Sequence, residues 1–166
     1  MLIGTPGVLA AAGDEDVEAL TRLERLCFTH PWSARHFRDA LRDRERARVL
    51  VLRAPLSREF GARGIVAYGI FRVVLDELEV HNLAVHPDLR NRGVGRWLVE
   101  RMLELGARRG ARTALLEARQ SNWAALQLYR SLGFEAVSVR RDYYEGPRED
   151  AVLLRKPILE IPEGAC

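Results

Sequence analysis

Between Asn82 and Phe134 the chain sets an acid, an amide, a phenol and a glycine turn at intervals that suit catalysis. Glu117 stands in Leu115-Leu116-Glu117-Ala118, an acid inside an otherwise apolar run. A carboxylate is costly to bury unless it is paired, so this placement asks for a reason. It suits a general base tuned by partial burial, and equally an edge-facing acid paired with one of many arginines. Asn122 and Tyr129 lie seven residues apart, two helical turns, and so would share a face. Taken singly, Asn122 is a helix cap and Tyr129 a core aromatic with a hydrogen-bonded tip.

Upstream, Arg90-Asn91-Arg92-Gly93-Val94-Gly95-Arg96 is a basic, glycine-punctuated turn. It follows the apolar run Leu83–Val85 and opens an amphipathic stretch. Strand, glycine turn and helix start in that order present several backbone N–H groups to one ligand at the positive end of a helix dipole. Guanidinium groups nearby would pair with phosphate oxygens. No Lys-Ser/Thr follows the glycines, which excludes a P-loop, and Leu98 stands where a dinucleotide fingerprint needs its third glycine. A pyrophosphate cradle and a solvated basic surface are the two readings left.

These residues need elements to hold them. Gly7–Ala11 predicts a first strand. Asp14 offers a cap to a helix with Val17, Leu20, Leu23 and Cys27 at helical spacing. Pro31-Trp32 interrupts, and Ser33 caps a second helix through about Arg44. Val49–Leu52 and Ile65–Leu75 read as strands joined by a polar loop holding Pro55, Ser57 and Gly61. Asp76-Glu77 turns the chain into Leu78–Val85, which Pro87 ends. A helix from Val94 to about Arg109, a strand Thr113–Ala118 and a helix Asn122–Leu132 follow, with Gly110 and Gly133 as helix terminators. Val137–Val139 and Val152–Leu154 close the pattern around a Tyr143–Asp150 connection. The order is βααβββαβαββ, about seven strands and four helices, an α/β or α+β single domain over 1–166.

Composition sets broad bounds. At 166 residues, 48% hydrophobic and 30% charged, the chain has the make-up of an ordinary soluble domain with a real core. Every basic residue but Lys156 is arginine, yet the net charge is only +3, and no aromatic-basic stacking pattern points to nucleic acid. Cys27 and Cys166 form no disulfide or metal pattern, and His30, His36, His81 and His86 have no partner at metal-ligand spacing. No apolar stretch is long enough to span a bilayer and no secretion signal is visible, so a cytoplasmic protein without a metal is expected.

Assembled, the residues resemble the GCN5-related N-acetyltransferase (GNAT) superfamily. The turn Arg90-x-x-Gly93-x-Gly95 matches its acetyl-CoA pyrophosphate loop, and Asn122 with Tyr129 matches its downstream helix. Asn82-Leu83-Ala84-Val85-His86-Pro87, Leu116-Glu117-Ala118-Arg119, Ser121-Asn122, Leu128-Tyr129-x-Ser131-Leu132-Gly133-Phe134 and Arg140-Arg141-x-Tyr143-Tyr144 look like its RimI family. That family acetylates the N-terminal alanine of a small-subunit ribosomal protein. Pro31-Trp32-Ser33 and Arg148-Glu149-Asp150-Ala151 extend the similarity over nearly the whole chain. Ala118, in place of a β-branched residue, His86, where an acid is frequent, and a long Pro55–Arg63 loop depart from the pattern.

The resemblance implies a mixed, mostly antiparallel sheet and direct acetyl transfer from acetyl-CoA to an amine, with no metal. It makes Glu117 the general base and Tyr129 the general acid. Asn91, Arg92, Gly93, Val94, Gly95 and Arg96 would hold the pyrophosphate, with Asn122 on the pantetheine arm. Leu83, Ala84 and Val85 would line the cofactor, Val85 offering an oxyanion donor. Phe28, Trp32, Tyr143 and Tyr144 would wall the peptide groove. Glu77, Glu79 and Glu149 would meet a basic acceptor, the N-terminus of a ribosomal protein. A monomer is expected, touching neither membrane nor nucleic acid. Transfer to a lysine side chain or a small amine, and a catalytically idle acyl-CoA-binding module, are the competing readings.

Overall fold

The computed structural model describes residues 7–43, 47–54 and 64–158. Its elements run β1 (Val8–Ala11), α1 (Val17–Cys27), α2 (Ala34–Arg42), β2 (Ala47–Arg53), β3 (Ile65–Val74), β4 (Glu77–Val85), α3 (Val94–Ala107), β5 (Thr113–Arg119), α4 (Trp123–Ser131), β6 (Glu135–Tyr144) and β7 (Glu149–Pro157). The element order is the one the hydrophobic periodicity gives. The strands form one seven-stranded sheet ordered β1-β2-β3-β4-β5-β7-β6. β1–β2, β5–β7 and β6–β7 pair antiparallel, while β4–β5 is a parallel pair. The parallel register covers Glu77–Val80 against Thr113–Leu116, whereas β5 stays paired with β7 as far as Arg119.

By Cα packing the chain falls into two compact units. One comprises Asn82–Val99 with the residues up to Phe71, and the other Arg72–His81 with the residues from Glu100 onward. The first unit buries Leu20, Leu23, Phe37, Val51, Tyr68 and Ile70 in one apolar cluster. In the second unit Leu78 is fully buried, worth roughly 1.5–3 kcal/mol for such a side chain. Gly106 explains how: a Cβ there would stand 2.2 Å from Leu78 Cδ1, so only glycine lets α3 approach β4 this closely.

Three local readings are corrected by tertiary contacts. Asp14 does not cap α1. A single turn of 3-10 helix, Asp14–Asp16, intervenes, and the buried Asp16 carboxylate accepts from the Gly13 N–H at 3.0 Å and from Arg53 at 2.8 Å. The pull of that ion pair toward the end of β2 outweighs the local cap. α2 begins after Ser33 as expected but stops at Arg42; Arg44 and the Pro55–Arg63 loop lie outside the described residues. The closing strands are far longer than the valine runs suggest, and Tyr143 and Tyr144 belong to β6 itself. β6 is exposed along nearly its whole length, so it lacks the apolar alternation that marks a half-buried strand.

Candidate active site

In the first unit, β4 ends beside α1. The Cys27 thiol donates to the Val85 carbonyl at 3.4 Å, and Arg90 Nε donates to the same oxygen at 3.2 Å. Burial pushes the Cys27 thiol up, against the opposing influence of Arg90. Ala84 is buried, while Leu83 and Val85 are partly exposed. Pro87–Leu89 forms a short 3-10 turn, and the chain then passes through Asn91 at φ 58° and Gly93 at φ 81°. Both values are left-handed, a region where glycine costs nothing and asparagine little.

The buried Val94 anchors this turn, and the Gly93 carbonyl accepts from the Trp97 N–H at 3.0 Å. The amides of Val94 and Gly95 therefore come before the first intrahelical bond of α3, at the end that attracts anions. Among the described residues nothing stands within 4 Å of a Cβ built on Gly93, so there is room over the turn for a ligand. Arg92 and Arg96 are exposed. These residues fit a diphosphate.

Phe28 and Trp32, the expected groove residues, are half-buried and pack against the core cluster of this unit. The Trp32 ring lies 5.7 Å from that of Phe37.

In the second unit a cavity of about 490 Å³ is lined by Arg72, Glu79, Val80, His81, Leu115, Leu116, Glu117, Arg140, Tyr143, Tyr144 and Leu153. Four residues singled out from sequence therefore meet here: Glu117, Glu79, Tyr143 and Tyr144. Period-2 alternation along β5 puts Leu115, Glu117 and Arg119 on its less buried face. Glu117 Oε1 is ion-paired with Arg140 Nη1 at 2.7 Å, and Tyr143 hydrogen-bonds to the same carboxylate, which raises the Tyr143 phenol. Glu117 is thus both partly buried, on an inner strand, and paired with an arginine.

Glu79 accepts from Arg72 at 2.6 Å and lies 3.5 Å from His81 Nε2. Burial first, and then the Arg72 charge, holds the His81 imidazole below its ordinary value. Glu77, two residues away on the same strand, is exposed and absent from the cavity lining. Glu149 is occupied: it pairs with Arg119 at 3.3 Å and accepts the Ser121 N–H. Arg119 in turn lies over the Tyr144 ring, 4.1 Å from its centroid.

Tyr129 is buried on α4 with its ring 5.7 Å from that of Phe134. Burial, and secondarily Tyr144, raises its phenol well above the ordinary tyrosine value, so it stays protonated at neutral pH. Asn122 does not share that environment. It is the exposed N-cap of α4, with Oδ1 accepting from the Ala125 N–H at 3.2 Å.

Two groups escaped the sequence reading. Glu24 is 1% exposed and accepts from Tyr68, from the Trp32 N–H at 2.9 Å and from Asn82. Its signal was present, because an acid four residues after Leu20 and three before Cys27 lies on the apolar face of α1. Arg140 was legible only as part of a motif; nothing in β6 marks it as the partner of Glu117.

The Acetyltransferase (GNAT) family model matches residues 17–134. The chain is 36% identical over 146 residues to the [ribosomal protein bS18]-alanine N-acetyltransferase of Escherichia coli (strain K12), covering 86% of this chain and 92% of that one. The crystal structure of the ribosomal-protein-S18-alanine N-acetyltransferase from Escherichia coli superposes with a TM-score of 0.80 at 34% identity, over 96% of this chain and 98% of that one. Arabidopsis thaliana NAA60 in complex with acetyl-CoA shares the fold, with a TM-score of 0.81 at 16% identity over 91% and 98% of the two chains. The turn before α3, the acid on β5 and the buried tyrosine on α4 thus stand in a chain that belongs to the GNAT family of acetyl-CoA-dependent N-acetyltransferases.

Proposed function

We propose that this enzyme transfers the acetyl group of acetyl-CoA to the α-amine of the N-terminal alanine of ribosomal protein bS18. The observation that carries the reading is the cavity that gathers Glu117, Tyr143 and Tyr144 around one carboxylate. It is joined by 36% identity to an enzyme named for that substrate. The family match runs through both compact units, which supports one acetyltransferase domain. A ribosomal acceptor would make the site of action cytoplasmic, and no helix among the described residues is long and apolar enough to cross a membrane.

The chemistry asks for three things. First, the amine must lose a proton before it attacks. An α-amine titrates near ~8, against ~10.4 for a lysine side chain, so modest base assistance suffices near neutral pH. Glu117 would supply it, directly or through a water. Second, the tetrahedral oxyanion needs a donor, and the Val85 N–H on β4 is the group assigned to it. Third, the departing thiolate, near ~8.5, must take up a proton. Tyr129 would give it: its phenol is protonated at neutral pH, although burial makes it a weaker acid than an ordinary tyrosine. The amides from Asn91 to Arg96 would hold the pyrophosphate, Leu83 and Ala84 the acyl arm, and Asn122 the pantetheine. Tyr hydroxyls in the cavity and the Phe28–Trp32 loop would contact the acceptor peptide.

The test is acetyl-CoA with a peptide that starts with alanine and carries an internal lysine. Mass mapping should put the acetyl group on the α-amine. Acetylation of the lysine alone would move the enzyme to the side-chain class, and no acetylation of any amine to the idle class. Glu117→Gln should lower turnover at least about 100-fold while acetyl-CoA affinity holds; wild-type turnover near neutral pH would remove Glu117 as base.

A further inference from the structure

Glu117 is not an open carboxylate. Arg140 Nη1 forms an ion pair with its Oε1 at 2.7 Å, and Tyr143 hydrogen-bonds to it. The Arg140 guanidinium also sits 5.5 Å from the centroid of the Tyr143 ring. Other arginines of the region are engaged: Arg72 with Glu79, Arg119 with Glu149 and the Tyr144 ring. Each acid of the cavity wall therefore has its own arginine. The two ends of the Glu117 pair differ in freedom. Glu117 lies on an inner strand with its side chain 22% exposed, whereas Arg140 projects from the outermost strand with 53% exposed. A long arginine stem at a sheet edge can swing into water at small cost; a carboxylate on an inner strand cannot.

We propose that Arg140 is a positioning residue that reserves Glu117 for a cationic acceptor: its guanidinium occupies the carboxylate until the acceptor's ammonium takes its place. The inference rests on the reading of Glu117 as the base for an amine. An entering ammonium replaces one cation with another, so the carboxylate keeps a paired positive charge. Water offers only a neutral donor, and displacing Arg140 with it loses that pairing. The reaction suppressed is hydrolysis of the cosubstrate. In it Glu117 takes a proton from water while the water oxygen bonds to the acetyl carbon. The C–S bond then breaks, the sulfur leaves with the electron pair and is protonated, and acetate and free CoA result, with one proton passing to solvent.

The experiment measures free thiol released from acetyl-CoA by the full chain with no acceptor present. Arg140→Ala should raise this release about tenfold, the order of one polar contact to a charged group, and Arg140→Lys should keep it near wild type. Arg140→Gln serves if the alanine variant does not fold. Acetyl-CoA binding by calorimetry is measured on every variant. Adding Glu117→Gln should abolish the increase. A folded, acetyl-CoA-binding Arg140→Ala or Arg140→Gln protein with wild-type release overturns the proposal, and so does a raised release that survives Glu117→Gln. The assay needs no acceptor. Failure of every N-terminal peptide would therefore strike the proposed function and leave the Arg140 result to be read by itself.

Discussion

Glu24 and Asn82, 58 positions apart, meet inside the first unit: the Asn82 amide donates to both carboxylate oxygens, at 3.2 and 3.3 Å. With Tyr68 and the Trp32 N–H also donating, one buried acid ties α1 to β3, to β4 and to the loop ahead of α2. Its donors are all neutral: a phenol, a backbone N–H and a side-chain amide.

Glu24→Gln puts an amide donor among groups that are already donors, and should cost about 1–3 kcal/mol in urea unfolding. Tyr68→Phe should cost about 1 kcal/mol. The double variant should fall short of the sum, because both changes break the same cluster. Additive losses would mean that the two groups stabilise the fold separately.

Tyr129→Phe keeps the ring against Phe134 and removes only the hydroxyl. Melting temperature should move little, while thiol release during turnover should slow about 10- to 100-fold. A full-rate variant would assign the leaving-group proton to another donor, such as water.

Gly93→Ala tests the turn. At φ 81° with nothing among the described residues within 4 Å of the new Cβ, the cost is conformational, about 1–2 kcal/mol. Relief of that strain would re-aim the amides, so KM for acetyl-CoA should rise about tenfold with little change in kcat. Gly110→Ala is the control, since Gly110 has φ 89° and equally open surroundings after α3. It should lose similar stability and leave KM unchanged. Equal KM for both variants would take the Gly93 turn out of cofactor binding.

The pH dependence of stability should carry a His81 component. Burial and Arg72 depress its folded value, so the unfolded chain binds the proton first as pH falls. The contribution is complete above the unfolded value near ~6.5 and is lost as pH drops through the lower folded value. Urea midpoints taken from about pH 7 down to about pH 5 should decline in the wild type, and His81→Gln should flatten part of that decline. Identical slopes would show that the ring titrates alike in both states.

The order of elements and the glycine turn before α3 are legible from the chain without its fold. Both depend on local chemistry: hydrophobic period, the missing N–H of proline, the left-handed freedom of Gly93 and the capping oxygen of Asn122. The sequence also marked Glu117 and Tyr129 as out of the ordinary, one as an acid in an apolar strand and the other through family resemblance. Partnership was beyond its reach. Folding is what sets Glu117 against Arg140, brings Glu79 but not Glu77 to the cavity, and buries Tyr129 while leaving Asn122 exposed. The reason is physical. Cross-strand register, and the crossover that puts β7 between β5 and β6, bring together side chains far apart in the chain, and no local preference encodes such a meeting.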